Sequence, residues 1–91
     1  MITLNLDRGW DIHPQVSVRP ESFGALLYHF GTRRLSFLKD RTLLTVVQSL
    51  SEALTARAAC IAASIGESDL PRYQRALGTL AQSSMVVERA S

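Results

Sequence analysis

The chain predicts a small α+β domain in which a three-stranded antiparallel sheet is followed by three helices. Three observations carry this expectation. Val16-Ser17-Val18-Arg19 alternates apolar and polar residues with period two, the pattern of a half-buried strand. Two β-prone runs, Gly24 to Phe30 and Arg33 to Leu38, are separated only by Gly31-Thr32, a hairpin signal. From Asp40 onward the apolar residues recur at helical spacing. With 91 residues, 46% of them hydrophobic and 20% charged, the chain has material for one core and one domain.

Taken in order, residues 1–10 read as a flexible lead-in and 11–89 as the single domain. His13-Pro14 biases residue 13 toward extended backbone. Pro20 ends the first strand, because proline cannot donate to a ladder. In the hairpin, Gly31 as first central residue suits a type II′ turn, and a two-residue loop sets the register. Phe30 then opposes Arg33, Tyr28 opposes Leu35 and Leu26 opposes Phe37. The aromatic-rich face, Leu26, Tyr28, Phe30, Leu35 and Phe37, is the expected core face. Ala25, Leu27, His29, Arg34, Ser36 and Leu38 form the other. Asp40 is placed to cap a helix carrying Leu43, Leu44, Val47 and Leu50. Thr55 caps a second, alanine-rich helix from Ala56 to Ile65, stopped by Gly66 as C′ residue. Ser68 caps a third, with Pro71 tolerated in its first turn. Its inner stripe is Leu70, Tyr73, Leu77, Leu80 and Ala81, and its outer face shows Arg72, Arg75, Thr79 and Gln82. Gly78 lowers helix propensity there and so implies a packing reason. Met85-Val86-Val87 reads as a short closing strand or an extended tail, with Glu88 to Ser91 fraying.

Composition narrows the function. The single cysteine, Cys60, excludes an internal disulfide framework and points to a reducing cytoplasm. No apolar run is long enough to span a bilayer, and the N-terminus lacks the pattern of a secretory signal. The net charge of +2 is too small to demand nucleic acid, but nine of the ten basic residues are arginine, the better group for carboxylates and phosphates. No catalytic set assembles. His13 and His29 lack metal-ligand spacing, Cys60 sits among alanines as a small hydrophobe, the carboxylates are unpaired, and the glycines are scattered rather than gathered in a phosphate loop. The expectation is a protein with no catalytic residue, no metal and no cofactor. Binding is left, with two surfaces to carry it: the free edge of the third strand and the outer face of the third helix.

The stretch from His13 to Leu38, with V-R-P-E-x-F-G-A-L-x-Y-H-F-G (Val18 to Gly31) and R-R-L-S-F-L (Arg33 to Leu38) as its most specific parts, resembles the mycofactocin-type chaperones of the PqqD-like family of precursor-peptide recognition elements. The resemblance is close over residues 11–50 and extends to residue 89. It implies a winged helix-turn-helix-like fold. It also implies a non-catalytic role: binding the leader of a short, ribosomally made precursor peptide and presenting its C-terminal core to a radical SAM maturase, which carries the iron–sulfur clusters and S-adenosylmethionine. On that reading the leader adds as a strand along Arg34, Leu35, Ser36, Phe37 and Leu38. Leu38 and an exposed shoulder of Tyr73 then offer apolar contacts, and Arg34, Arg72 and Arg75, with Thr79 nearby, meet acidic leader residues. Two other readings stay open: a winged-helix DNA-binding protein reading bases with its third helix, against which Leu70 and Pro71 occupy the base-reading end, and a module that homodimerises through the same free edge.

Overall fold

The computed structural model describes residues 4–89. Its elements run β1 (Trp10–Ile12), β2 (Val16–Glu21), β3 (Gly24–His29), β4 (Arg34–Leu38), α1 (Arg41–Ser49), a 3-10 turn (Leu50–Glu52), α2 (Ala56–Ala62), α3 (Leu70–Gln82) and β5 (Val86–Glu88). The α+β class and the three helices agree with the sequence. The strand count does not, because there are two sheets. One is the antiparallel β2-β3-β4 meander. The other is a two-stranded antiparallel ribbon of β1 with β5, pairing Trp10 with Glu88 and Ile12 with Val86.

The meander keeps the expected register, with Tyr28 opposite Leu35 and Leu26 opposite Phe37. The faces are reversed. Ala25, Leu27, His29 and Leu38 are buried, whereas Phe30 is 61%, Phe37 60%, Leu35 55% and Phe23 45% exposed. The reason lies in β2. Val18 pairs with Leu27 and Val16 with His29, while Ser17 pairs with Tyr28 and Arg19 with Leu26. Directly paired residues share a face, so the valines of β2 draw Leu27 inward and its polar residues carry Leu26 and Tyr28 outward. Alanine at position 25 also leaves room for α1, whose Leu43, Val46 and Val47 fill the core beneath the sheet.

The β3–β4 turn also differs from the expected form. The loop spans Phe30 to Arg33 and is closed by the Arg33 N–H donating to the His29 carbonyl at 2.7 Å. The positive φ, 61°, falls on Arg33 rather than Gly31, so this is not a II′ turn. The His29 imidazole holds the loop instead: Nδ1 accepts the N–H groups of Gly31 at 3.0 Å and Thr32 at 3.1 Å. Gly31 is needed for space, since a Cβ there would meet the side chains of Gln15 and His29. Gly24 has φ +146°, and a Cβ on it would run into the Leu38 carbonyl.

Residues 4–10 are not a loose lead-in. Leu4 is 1% exposed, and Leu6 and Trp10 are also buried. The Leu6 and Arg8 carbonyls accept the N–H groups of Arg57 and Ala56, two donors that the first turn of α2 would otherwise leave unpaired. Asp40 and Thr55 cap α1 and α2 through their side chains as expected, but α3 begins after Asp69, with neither Asp69 nor Ser68 bonding as a side-chain cap. The Gly66 stop is replaced by an earlier one. Ser64, at φ 64°, ends α2 with its N–H on the Ile61 carbonyl and the Ile65 N–H on the Cys60 carbonyl, a Schellman motif. Ser84, at φ 59°, ends α3 in the same way, with the Met85 N–H on the Leu80 carbonyl. Gly78 is buried within α3. Of the expected fraying tail, Glu88 belongs to β5, the Arg89 N–H donates to the Gly9 carbonyl, and positions 90 and 91 lie outside the described residues.

A serine in left-handed backbone costs roughly 1–2 kcal/mol. Glycine removes that cost but gains roughly 0.5–1 kcal/mol of unfolded-state entropy. Ser64→Gly and Ser84→Gly should therefore each stabilise the fold by about 0.5–1 kcal/mol, read as a higher denaturant midpoint with unchanged slope.

Candidate functional site

The β2-β3-β4 order leaves two outer edges. Along an antiparallel edge strand, alternate residues turn N–H and C=O groups away from the sheet, a template for another strand. The β2 edge carries Pro20, which has no N–H to donate. The β4 edge, Arg34 to Leu38, has no proline, and among the described residues β4 pairs only with β3.

A cluster at the end of β4 ties this edge to α3. The Asp40 carboxylate accepts the Thr42 N–H at 2.8 Å and the Leu43 N–H at 3.4 Å through Oδ1, and the Tyr73 hydroxyl at 2.8 Å through Oδ2. Arg72 donates to the Tyr73 oxygen at 3.4 Å, and its guanidinium carbon lies 5.0 Å from the centroid of the Tyr73 ring. One carboxylate thus joins the end of β4, the first turn of α1 and the first turn of α3. Partial burial pushes the Asp40 pKa up, but the Tyr73 bond, the two backbone bonds and the Arg72 charge together hold it below the ordinary 3.8. The Tyr73 phenol is raised above its ordinary 10.0, first by its bond to Asp40, then by burial and by the Asp40 charge.

The expected site residues separate into three groups. Arg34, Leu35 and Phe37 are exposed on β4, with Ser36 half-buried. Arg72, Arg75 and Thr79 are exposed on one face of α3, where the Thr79 hydroxyl bonds the Arg75 carbonyl. Leu38, 2% exposed, and Tyr73, 6% exposed, belong to the core, so Tyr73 presents no exposed shoulder and neither side chain forms an apolar contact surface. The sequence marks Asp40 only as a helix cap, a role it fills through Oδ1. Its second oxygen is committed to a tyrosine 33 positions away, which no local pattern reveals.

The other reactive groups are built into the structure. The Cys60 thiol is buried, and burial raises its pKa against the opposing effect of Arg57. The His13 and His29 rings lie 4.4 Å apart at a tilt of 42°, each with Nδ1 accepting a backbone N–H. Among the described residues, no group of three or more His, Cys, Asp or Glu is placed to hold a metal ion, and no helix is long and apolar enough to cross a membrane.

Residues 9–87 match the model of the peptide chaperone MftB family. The chain belongs to that family. The peptide chaperone MftB of Mycobacterium tuberculosis is 59% identical over 83 residues, which span 91% of this chain and 76% of that protein. Its counterpart in Mycolicibacterium smegmatis is 55% identical over 86 residues, 94% of this chain and 84% of that protein. No solved structure matches. The family match covers β1 to β4, all three helices and most of β5, so the β4 edge and the Asp40–Tyr73 link both lie inside it.

The Asp40–Tyr73 bond should set two limits on stability. Asp40 has a lowered folded-state pKa, so its contribution is present above about pH 4 and is lost as pH falls through the folded value. Tyr73 has a raised one, so its contribution is present below about pH 10 and is lost as pH rises through the folded value. Tyr73→Phe should cost about 1–3 kcal/mol at neutral pH. It should also remove the alkaline limb and flatten the acid limb in denaturant midpoints measured against pH. Separately, Cys60 should resist a thiol reagent in the native state and react at the rate of unfolding.

Proposed function

We propose that the protein is a non-catalytic peptide chaperone that takes the leader of a mycofactocin-type precursor as an added strand on β4 and presents the peptide to a radical SAM maturase. Membership of the peptide chaperone family supports the peptide partner. The observation that carries the mode is the β4 edge. It is the proline-free outer edge of the meander, and it ends at the Asp40–Tyr73 link to α3. A strand laid there runs antiparallel to β4, with Arg34 at one end and the Arg72 guanidinium near the other. The fold then acts in the manner of a PqqD-like winged helix, and the chemistry belongs to the maturase.

Main-chain pairing alone does not supply the affinity. Five ladder bonds contribute a few kcal/mol at ~0.5–1.5 kcal/mol each. Ordering about ten peptide residues costs at least as much, at ~1 kcal/mol or more each. Side chains supply the balance. With Leu38 and Tyr73 in the core, the exposed groups available are Arg34, Leu35 and Phe37 on β4 and Arg72 and Arg75 on α3. That set suits a leader combining carboxylates with apolar residues.

The test is a titration with a synthetic precursor peptide. Proline placed in turn at Leu35, Ser36 and Phe37 should weaken peptide binding in alternation once fold stability is subtracted, because only alternate N–H groups face the free edge. Arg72→Glu and Arg75→Glu should each weaken it several-fold, with a moderate salt dependence. Shifts confined to residues 43–65 would overturn the edge assignment. Affinity for duplex DNA that falls steeply with salt would favour a DNA-binding protein instead.

A further inference from the structure

The outer face of the meander is unlike an ordinary solvent face. On β2 the outward positions are Ser17, Arg19 and Glu21, all polar. On β3 and β4 they are Leu26, Tyr28, Leu35 and Phe37, all apolar or aromatic, and Phe23 and Phe30 extend the patch into the two connecting loops. The same sheet therefore shows a hydrated outer face on one strand and an apolar one on the next two. The aromatics are mutually ordered. Tyr28 and Phe30 pack edge-to-face with centroids 4.8 Å apart, and Phe23 lies 6.2 Å from Phe37. Small monomers rarely expose a contiguous patch of this kind, and rigid aromatic clusters are what protein interfaces bury at their centres.

The charges around the patch are mostly positive. Arg19 is bonded to Glu21 at 3.0 Å, which neutralises both. Arg33 at the hairpin tip and Lys39 just beyond β4 have no carboxylate within ion-pair distance among the described residues. A peptide strand on the β4 edge would lie in the plane of the sheet about 4.8 Å beyond β4. It would flank Leu35 and Phe37 but leave Leu26, Tyr28, Phe23 and Phe30 open. A second copy would oppose the same cationic rim to itself, an unfavourable arrangement for a self-complementary interface. Single-stranded nucleic acid needs aromatic rings lying flat as stacking platforms, whereas Tyr28 and Phe30 stand at 88° to each other and Glu21 sits on the face.

We propose that this face is a second docking surface, separate from the β4 edge, whose occupant is a folded protein presenting an apolar patch ringed by carboxylates. Resting on the function proposed above, that protein is the maturase itself. β4 then serves both ligands, the peptide on its edge and the enzyme on its face, so the bound leader is held beside the enzyme that receives it.

The test uses the purified maturase and a synthetic precursor peptide as separate probes. Phe23→Ser with Phe30→Ser lies off the β4 strand, and both side chains are exposed, so the fold should persist with an unchanged thermal midpoint. The double variant should lose at least tenfold in maturase affinity and keep peptide affinity within about twofold. Arg33→Glu with Lys39→Glu should weaken the maturase several-fold, with the difference shrinking in salt. Maturase affinity unchanged in both double variants, or no maturase binding by the parent protein, overturns the proposal even where the peptide binds. Peptide affinity lost in the Phe double variant overturns it by assigning the face to the peptide. A parent dimer that becomes monomeric in that variant assigns it to a second copy, and oligothymidine binding lost in that variant assigns it to nucleic acid. Loss of peptide binding in the parent protein would instead sink the leader reading and leave the maturase arm to judge the face.

Discussion

One carboxylate organises the end of the molecule where β4, α1 and α3 meet. Asp40 follows β4 directly and spends one oxygen on the first turn of α1 and the other on Tyr73 of α3. Leu38, two residues before Asp40, faces inward, in the parity that the alternation of β2 imposes on the sheet. That parity fixes the faces of the whole meander, because a strand turned by one residue exchanges its two sides. It buries Leu27 and Ala25 over Val46 and Val47, and it sends Phe37 and Leu35 outward. The helical half and the sheet are therefore coupled through a charged hydrogen bond as well as through apolar packing. Charge-assisted bonds are the stronger class, and this one links the end of the candidate peptide edge to α3.

Much of the fold is legible without coordinates. The helices are announced by their caps and spacing at Asp40 and Thr55, and the hairpin by the run of β-prone residues on either side of Gly31. The register follows from symmetry about that centre, so Tyr28 opposite Leu35 holds even though the turn is a four-residue loop with its positive φ on Arg33. What fails is the assumption that the more aromatic face is the buried one. The correcting signal is present in the sequence. Ser22-Phe23 is a two-residue connection between Glu21 and Gly24, which sets Ser17 and Arg19 opposite Tyr28 and Leu26. A strand whose polar residues face outward cannot share that side with a core.

The N-terminal segment is a different kind of failure. Ile2-Thr3-Leu4-Asn5-Leu6-Asp7 alternates apolar and polar residues as a strand would, yet Leu4 to Asp7 form no strand, and the burial of Leu4 and Leu6 depends on partners far along the chain: Gln74, whose amide donates to the Leu4 carbonyl at 2.7 Å, and the first turn of α2. β1 is short, and it exists as a strand only because β5 returns beside it. Arg89 completes the closure by donating to the Ser51 carbonyl within the 3-10 turn and to the Ala53 carbonyl just after it. Such long-range bonds carry no local sequence signature. At the candidate site the limit was similar. The exposed arginines were legible as the outer face of α3, whereas the burial of Leu38 and Tyr73 follows from the Asp40 link and from the face inversion, neither of which spacing shows.

The outward aromatic face and the buried Leu38 and Tyr73 decide what kind of recognition the molecule can perform. Had the aromatic face been core, the β4 edge would stand alone, with Leu38 and Tyr73 as its apolar wall. With that wall inside the core, an edge-bound strand meets mainly hydrogen-bonding groups and arginines, and its apolar neighbours, Leu35 and Phe37, belong to the outer face. Main-chain pairing is tolerant of sequence, because every residue but proline offers the same donor and acceptor. On the proposed mode, discrimination among peptides would then fall to charge at Arg34, Arg72 and Arg75 and to the few peptide side chains that turn toward Leu35 and Phe37. If a peptide pairs with β4 as proposed, the strand would set its register and the exposed cations of β4 and α3 would set its choice. On the same proposal the broad apolar face would be left for a larger partner.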